Sequence, residues 1–166
     1  MAQVISKLGA DISTDIIYPG RYMATVLPTE TPQFAFADDA ALNGKLKSKQ
    51  VPPGSVIVAD KNFGCGSSRE QACSCLKGYE LTIVARGFAR IFLQNSINLG
   101  LNLITAPNYE ASEGDEIELA GDRVVNETTG KSFAVVPLPK SRQAIIDAGG
   151  LIPFARKLVI ASQGKR

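Results

Sequence analysis

The chain has 166 residues, of which 45% are hydrophobic and 20% are charged, close to the values of an average soluble globular domain. Its formal net charge of +2 is too small to indicate a nucleic-acid-binding surface, and no apolar run approaches the roughly 20 residues that a membrane span needs. A chain of this length buries about two thirds of the surface that it exposes when unfolded, so we expect residues 1–166 to form one domain.

Three cysteines and the absence of histidine narrow the possible chemistry. Cys65, Cys73 and Cys75 make an odd number, and the first ten residues lack the apolar core of a secretory signal, so we expect free thiols and a cytoplasmic location. Without histidine, no Ser-His-Asp or Cys-His mechanism can operate within this chain. A proton transfer would use another residue as base, or an imidazole from another chain.

The first third of the sequence predicts one strand and then irregular structure. Residues 3–8 alternate loosely and indicate a short strand, and residues 11–17 are predicted to form a polar loop. Pro19-Gly20 is a strong turn signal. The mixed composition of residues 29–49 predicts one or two short helices.

The next segment alternates strands and helices. The predicted elements are strands at 55–59, 81–85 and 101–106, and helices at 68–77 and 88–99. Ser67 is expected to be the N-cap of the first helix, with Glu70 at the capping-box spacing, and Gly78 and Gly100 are expected to end the two helices. Two consecutive βα units predict a core of parallel strands.

The last third predicts an antiparallel meander followed by two helices. The expected strands are 116–119, 123–126 and 132–136, and the expected helices are 141–148 and 152–160, separated by Gly149-Gly150. The predicted fold is therefore a mixed α/β domain, with a parallel-sheet core, peripheral antiparallel strands and a barrel-like β periphery.

Residues 60–71 carry most of the chemical signal. The stretch leaves a predicted strand at its carboxyl end, turns through two glycines and opens a helix, which is where α/β proteins bind anions. Ser67, Ser68 and Arg69 add two hydroxyls and a guanidinium suited to holding a carboxylate. The pattern is equally compatible with a plain turn and helix cap, because it lacks the lysine of a phosphate loop and the third glycine of a dinucleotide fingerprint.

Three segments resemble the signatures of the small, swivelling domain of aconitase-family enzymes. They read DISTDIIYPGRY at 11–22, NFGCGSSREQA at 62–72 and ARGFARIFLQN at 85–95. Their order and spacing identify the chain as a member of this family, and its length resembles that of free-standing isopropylmalate dehydratase small subunits. The resemblance implies the swivelling β/β/α fold, and a subunit that is inactive without its large partner.

The resemblance also implies the chemistry. Family enzymes dehydrate and rehydrate a hydroxy di- or tricarboxylate, which moves the hydroxyl between neighbouring carbons. A [4Fe-4S] cluster in the large subunit binds the substrate, so we expect a heterodimer or heterotetramer and no metal ligand in this chain. Cys73 and Cys75 are interpreted as core or helix-face thiols, because C-x7-C-x-C lacks the usual C-x2-C spacing of cluster ligands.

By the same resemblance, individual residues acquire expected roles. Ser67 would be the catalytic base, acting as an alkoxide, while Ser68 and Arg69 would hold a substrate carboxylate. Asp15 matches a family aspartate near the active site that orients a basic partner; the alternative is a simple turn-capping aspartate.

Met23, Ala24 and Thr25 are the expected specificity residues. Related subunits that accept a longer carboxylate substituent tend to carry arginine where this chain has Ala24, which favours isopropylmalate and leucine biosynthesis. A paralogous subunit for dimethylmalate, citramalate or homoaconitate remains an alternative, although the missing arginine argues against homoaconitate. From another class, the chain could be a binding module that kept the swivel fold without catalysis.

Overall fold

Seven strands form one mixed sheet in the computed structural model, which describes residues 1–164. The strands are β1 (Ala2–Lys7), β2 (Val56–Ala59), β3 (Thr82–Ala85), β4 (Asn102–Thr105), β5 (Glu116–Ala120), β6 (Arg123–Asn126) and β7 (Lys131–Ala134). Their order across the sheet is β4-β3-β2-β1-β5-β6-β7. Strands β1, β2, β3 and β4 pair in parallel, each with the next. On the other side of β1, the pairs β1–β5, β5–β6 and β6–β7 are antiparallel. The predicted parallel core with an antiparallel meander is confirmed.

The sheet curls until its two outer edges meet. Val136, two residues beyond β7, donates its backbone N–H to the carbonyl oxygen of Thr105 in β4 at 2.8 Å. The predicted barrel-like β periphery is therefore confirmed. One face of the sheet carries a cluster of buried side chains from both the parallel and the antiparallel strands, namely Val4, Val56, Val58, Val84, Ile117 and Val124.

Helices cover the other face. The α-helices are α1 (Thr14–Ile17), α2 (Ala40–Lys47), α3 (Glu70–Gly78), α4 (Arg90–Leu99), α5 (Lys140–Asp147) and α6 (Leu151–Gln163), with 3₁₀ turns at Gly20–Tyr22 and Thr31–Phe34. Leu76 of α3 and Phe92 of α4 belong to one core cluster with Ile57 and Ile83 of the sheet. Burial on both faces explains why β2 is apolar throughout and why β3 is apolar after Thr82.

The start of α3 differs from the prediction. Arg69, not Ser67, is the N-cap residue, and no side chain caps this helix end. Ser67 instead lies in a tight turn, where its carbonyl oxygen accepts the backbone N–H of Arg69 at 2.9 Å. The predicted N-cap and capping box are therefore wrong, and Ser67 lies three residues before Glu70, the first residue of the helix.

The ends of α3 and α4 differ from each other in kind. Gly100 has φ 73° and caps α4 in the left-handed conformation, as predicted. Gly78, in contrast, is the last residue inside α3, where a Cβ atom would lie 2.2 Å from Cγ of Pro32. The predicted C-cap role of Gly78 is wrong, because this glycine allows close packing of the helix against a neighbouring turn.

Two further regions complete the comparison with the sequence. Within the predicted loop 11–17, Ser13 caps the one-turn helix α1 by accepting the N–H of Ile16 at 3.3 Å, so the loop prediction is wrong for those residues. The two predicted C-terminal helices are confirmed, with α6 continuing to Gln163. No helix among residues 1–164 is long and apolar enough to cross a membrane.

Candidate active site

Two loops meet at the carboxyl edge of the parallel strands. One follows β1 and the other follows β2, its neighbour in the sheet, so segments about 50 residues apart in sequence become adjacent. Three backbone hydrogen bonds join them: Asp11 N to Lys61 O at 3.0 Å, Gly64 N to Ile12 O at 2.7 Å, and Thr14 N to Cys65 O at 2.8 Å. The first and second family signatures therefore form one continuous surface.

Gly64 is the point where the second loop packs most closely on α4. It has φ 82°, and a Cβ atom there would lie 2.1 Å from Cγ of Phe92. Only glycine satisfies both constraints without displacing the buried ring.

Gly64→Ala is therefore expected to lower the free energy of unfolding by about 2 kcal/mol more than Gly54→Ala does. Gly54 is the matched control, because it has the same φ of 82° with no atom near its missing Cβ, so it isolates the backbone strain. Urea unfolding of both variants measures the difference. Equal losses would show that Phe92 moves aside without cost.

Arg69 is held in place by Asp15. Its Nη1 donates to Asp15 Oδ1 in a short ion pair and to the carbonyl oxygen of Tyr18 at 3.2 Å. The hydrogen bond from Arg69 lowers the pKa of Asp15, with a smaller contribution from the backbone N–H of Gly20. The Arg69 side chain is 18% exposed, so the guanidinium is fixed and still reaches the surface.

Ser67 and Ser68 are exposed beside this ion pair. The carbonyl oxygen of Ser67 accepts a second hydrogen bond, from Oγ1 of Thr14 at 3.0 Å, and the two hydroxyl oxygens of Thr14 and Ser67 are 3.3 Å apart. Thr14 itself is buried. The structure thus brings together three of the predicted residues, Asp15, Ser67 and Arg69, through the turn before α3 and the helix α1.

The predicted specificity loop, residues 21–25 with Met23, Ala24 and Thr25, is docked against the body of the domain. The hydroxyl of the buried Tyr18 shares its one hydrogen between the carbonyl oxygens of Tyr22 at 3.1 Å and Thr25 at 3.3 Å. The ring of Tyr22 stacks on Phe34 with centroids 4.1 Å apart. These contacts fix the backbone of the loop and leave the side chains of Met23 and Ala24 exposed.

The loop is connected through α3 to the turn that carries Ser67. Gln71, in the first turn of α3, donates its side-chain amide to the carbonyl oxygen of Met23 at 3.3 Å. Among residues 1–164, no hydrogen bond joins a side chain of Met23, Ala24 or Thr25 to Ser67, Ser68 or Arg69. The predicted specificity residues are therefore linked to the start of α3 through Gln71 and form no direct side-chain hydrogen bond with the other candidate residues.

Cys73 and Cys75 do not fit the ligand set of an iron–sulfur cluster. Both are fully buried in the core, and Cys73 Sγ is 3.3 Å from Oγ of Ser96. Burial raises the pKa of Cys73 to about 12 and that of Cys75 well above its ordinary value, whereas cluster ligands are thiolates. Over the described residues 1–164, no three histidine, cysteine or acidic side chains are grouped as metal ligands.

Comparison with known proteins gives consistent matches. Residues 10–108 match the family model of the aconitase C-terminal domain. The 3-isopropylmalate dehydratase small subunit of Methanosarcina acetivorans is 41% identical over 161 residues, covering 92% of this chain and 94% of the relative. The isopropylmalate/citramalate isomerase small subunit of Methanocaldococcus jannaschii is 42% identical over 164 residues, covering 95% and 94% of the two chains.

The fold has a close counterpart among solved structures. The crystal structure of a 3-isopropylmalate dehydratase (LeuD) from Methanocaldococcus jannaschii superimposes with a TM-score of 0.88 at 35% identity. The match covers 99% of this chain and 98% of that one. The similarity therefore includes the antiparallel meander and the terminal helices as well as the segment that contains the candidate site.

Proposed function

Because the chain belongs to the aconitase C-terminal domain family, together with the 3-isopropylmalate dehydratase small subunits, we propose that it is the small subunit of a heteromeric hydro-lyase. The enzyme isomerises isopropylmalate by dehydration and rehydration, a step of leucine biosynthesis in the cytoplasm. Residues 1–166 act as one swivel domain that completes the active site of a larger subunit.

The observation that carries this proposal is the fixed guanidinium of Arg69 beside two exposed serine hydroxyls. Nη1 of Arg69 is occupied by Asp15 and Tyr18, which orients the planar group and leaves Nη2 and Nε to donate to a substrate carboxylate. Ser68 adds a hydroxyl to the same clamp. Ser67 then lies next to the bound carboxylate as the group that removes the carbon-bound proton.

Exposure of Ser67 explains why a partner is required. Deprotonation of a serine hydroxyl is strongly unfavourable in water, and Ser67 is exposed in the isolated subunit. A larger subunit that covers this surface excludes water and strengthens each electrostatic interaction with the anion. That subunit holds the [4Fe-4S] cluster, which supplies the Lewis acid for the departing hydroxyl, in a heterodimer or heterotetramer.

Citramalate is a second candidate substrate. The similar subunit from Methanocaldococcus jannaschii is named for both isopropylmalate and citramalate. Exposed Met23 and Ala24 offer an apolar surface to either an isopropyl or a methyl substituent. The two substituents differ by two methylene units, each worth about 1–3 kcal/mol of binding free energy.

Ala24→Arg is expected to shift the substrate ratio toward a hydroxy acid with an additional carboxylate, by roughly tenfold in kcat/KM, because an added guanidinium pairs with that group. Ala120→Arg, also at an exposed position, at the end of β5, is the control for added charge. An unchanged ratio of kcat/KM between isopropylmalate and homoaconitate in the Ala24→Arg complex would show that this loop does not line the substrate pocket.

Anaerobic co-expression with a cluster-bearing large subunit from the same genome tests the function as a whole. We expect a stable complex that converts isopropylmalate, followed by the absorbance of the unsaturated intermediate, and no turnover by either chain alone. Assembly with turnover of citramalate only would assign the second candidate. Failure to assemble with any such subunit would favour a stand-alone binding module.

A further inference from the structure

Thr14 contacts the proposed base directly from a buried position. The residue is 2% exposed, and its Oγ1 lies 3.0 Å from the carbonyl oxygen and 3.3 Å from the hydroxyl oxygen of Ser67. Its backbone N–H is fixed by the carbonyl oxygen of Cys65 at 2.8 Å. A threonine side chain has a restricted χ1 angle, so the oxygen stays in place while its hydrogen can rotate between the two acceptors.

Counting hydrogens shows which group donates. A threonine hydroxyl has one hydrogen and two lone pairs. Because Thr14 donates that hydrogen to the carbonyl oxygen of Ser67, the hydroxyl of Ser67 is the donor in the 3.3 Å contact. This arrangement belongs to the protonated form of Ser67.

The deprotonated form requires the reverse arrangement. An alkoxide at Ser67 has no hydrogen to donate, so the contact is favourable only if Thr14 turns its hydrogen toward Ser67 Oγ. The carbonyl oxygen of Ser67 then keeps its hydrogen bond from the backbone N–H of Arg69 at 2.9 Å. The switch therefore leaves no buried group without a partner, and it gains a charge-assisted bond about twice as strong as a neutral one.

Resting on the proposed role of Ser67 as base, we propose that Thr14 is a positioning residue whose hydroxyl alternates between the Ser67 alkoxide and the Ser67 carbonyl oxygen in each turnover. When the substrate C–H bond breaks, its proton forms the O–H bond of Ser67 and its electron pair expels the neighbouring hydroxyl, which is the dehydration itself. Thr14 then returns its hydrogen to the carbonyl oxygen. Rehydration reverses these steps, and Thr14 keeps its own hydrogen throughout.

The neighbouring glycine is consistent with this role. A Cβ atom at Gly66, which has φ 96°, would lie 3.4 Å from Oγ1 of Thr14. A side chain at this position would be in van der Waals contact with the hydroxyl, so the glycine leaves the space beside it open.

Thr14→Val in the assembled complex tests the proposal, since valine keeps the shape and removes the hydroxyl. We expect kcat to fall by on the order of 10²-fold, as for the loss of one oxyanion donor, with KM within about threefold of wild type. Deuterium exchange at the substrate carbon should slow by the same factor. Thr14→Ser should recover most of the loss, whereas Thr82→Val, which removes an equally buried hydroxyl at the start of β3, should leave turnover unchanged.

Two results would overturn the role of Thr14: turnover of Thr14→Val within threefold of wild type, or equal losses in Thr14→Val and Thr14→Ser. If the valine variant does not assemble, Thr14→Ala replaces it with the same expected loss. Failure of the underlying function is distinguished by Ser67→Ala. Full turnover in that variant would show that Ser67 is not the base. An inactive Ser67→Ala complex together with an active Thr14→Val complex would reject only the proposed alternation of the Thr14 hydroxyl.

Discussion

Ser67→Ala in the reconstituted complex is expected to reduce kcat by roughly 10²- to 10⁴-fold, the usual contribution of a positioned base. The substitution removes one exposed oxygen atom, and the turn that carries it is held by backbone bonds between Ser67 O and Arg69 N and between Cys65 O and Thr14 N. Assembly with the large subunit and the KM for isopropylmalate should therefore stay close to the wild-type values. Steady-state turnover and gel filtration of the same preparation measure both.

Ser112→Ala is the matched control for this substitution. Ser112 is also exposed, but it lies in the loop before β5, far along the chain from the candidate site, and its backbone N–H rather than its side chain bonds to Asp115. It should turn over like wild type. A Ser67→Ala complex as active as the Ser112→Ala complex would assign the proton transfer to another residue, including one supplied by the large subunit.

The architecture was predictable where burial dominates. Every residue of Val56–Ala59 and Thr82–Ala85 is buried, and all are apolar except Thr82, because both faces of the parallel strands are covered. This pattern depends on neither partner nor ligand. Gly100 was predictable for a similar reason, since a left-handed helix end requires glycine in most contexts. Such features follow from local physical constraints that the sequence displays.

The start of α3 was not predictable by the same logic. Ser67 and Glu70 have the spacing of a capping box, yet Arg69 is the cap residue and Ser67 lies in the preceding turn. The hydroxyl of Ser67 therefore forms no capping hydrogen bond with the helix. Serine ordinarily caps a helix at this spacing, but here its side chain is exposed. Departures of this kind from local sequence rules are expected at functional sites.

The contacts of Thr14 and Tyr18 lay beyond sequence reasoning altogether. Both residues belong to the first signature, but nothing in its pattern shows that Thr14 faces a serine 53 positions away or that Tyr18 anchors the predicted specificity loop. The pairing of Asp15 with Arg69 is of the same kind, and only the family resemblance pointed toward a basic partner for Asp15. Long-range side-chain pairs are set by the crossing of loops at the sheet edge, not by local periodicity.

Arg69→Lys is expected to raise the KM for isopropylmalate by about 10- to 100-fold with a smaller effect on kcat. Lysine keeps the charge and can still pair with Asp15, but it cannot bond to Asp15 and Tyr18 while presenting two parallel donors to a carboxylate. The lost charge-assisted hydrogen bonds are worth about 1.5–3 kcal/mol each. Substrate saturation curves of the assembled complex measure the change.

Arg86→Lys is the matched control, because Arg86 forms an ion pair with Asp60 at 3.8 Å and lies after β3, outside the Ser67 turn. Its KM should match wild type.

Asp15→Asn supplies the complementary measurement. The low pKa of Asp15 means that its carboxylate stays charged throughout the neutral and mildly acidic range, so substitution rather than a change of pH is used to remove the charge. A raised KM in both Arg69→Lys and Asp15→Asn identifies the guanidinium orientation as the property that binds substrate, whereas an unchanged KM in Arg69→Lys would mean that the carboxylate is held elsewhere.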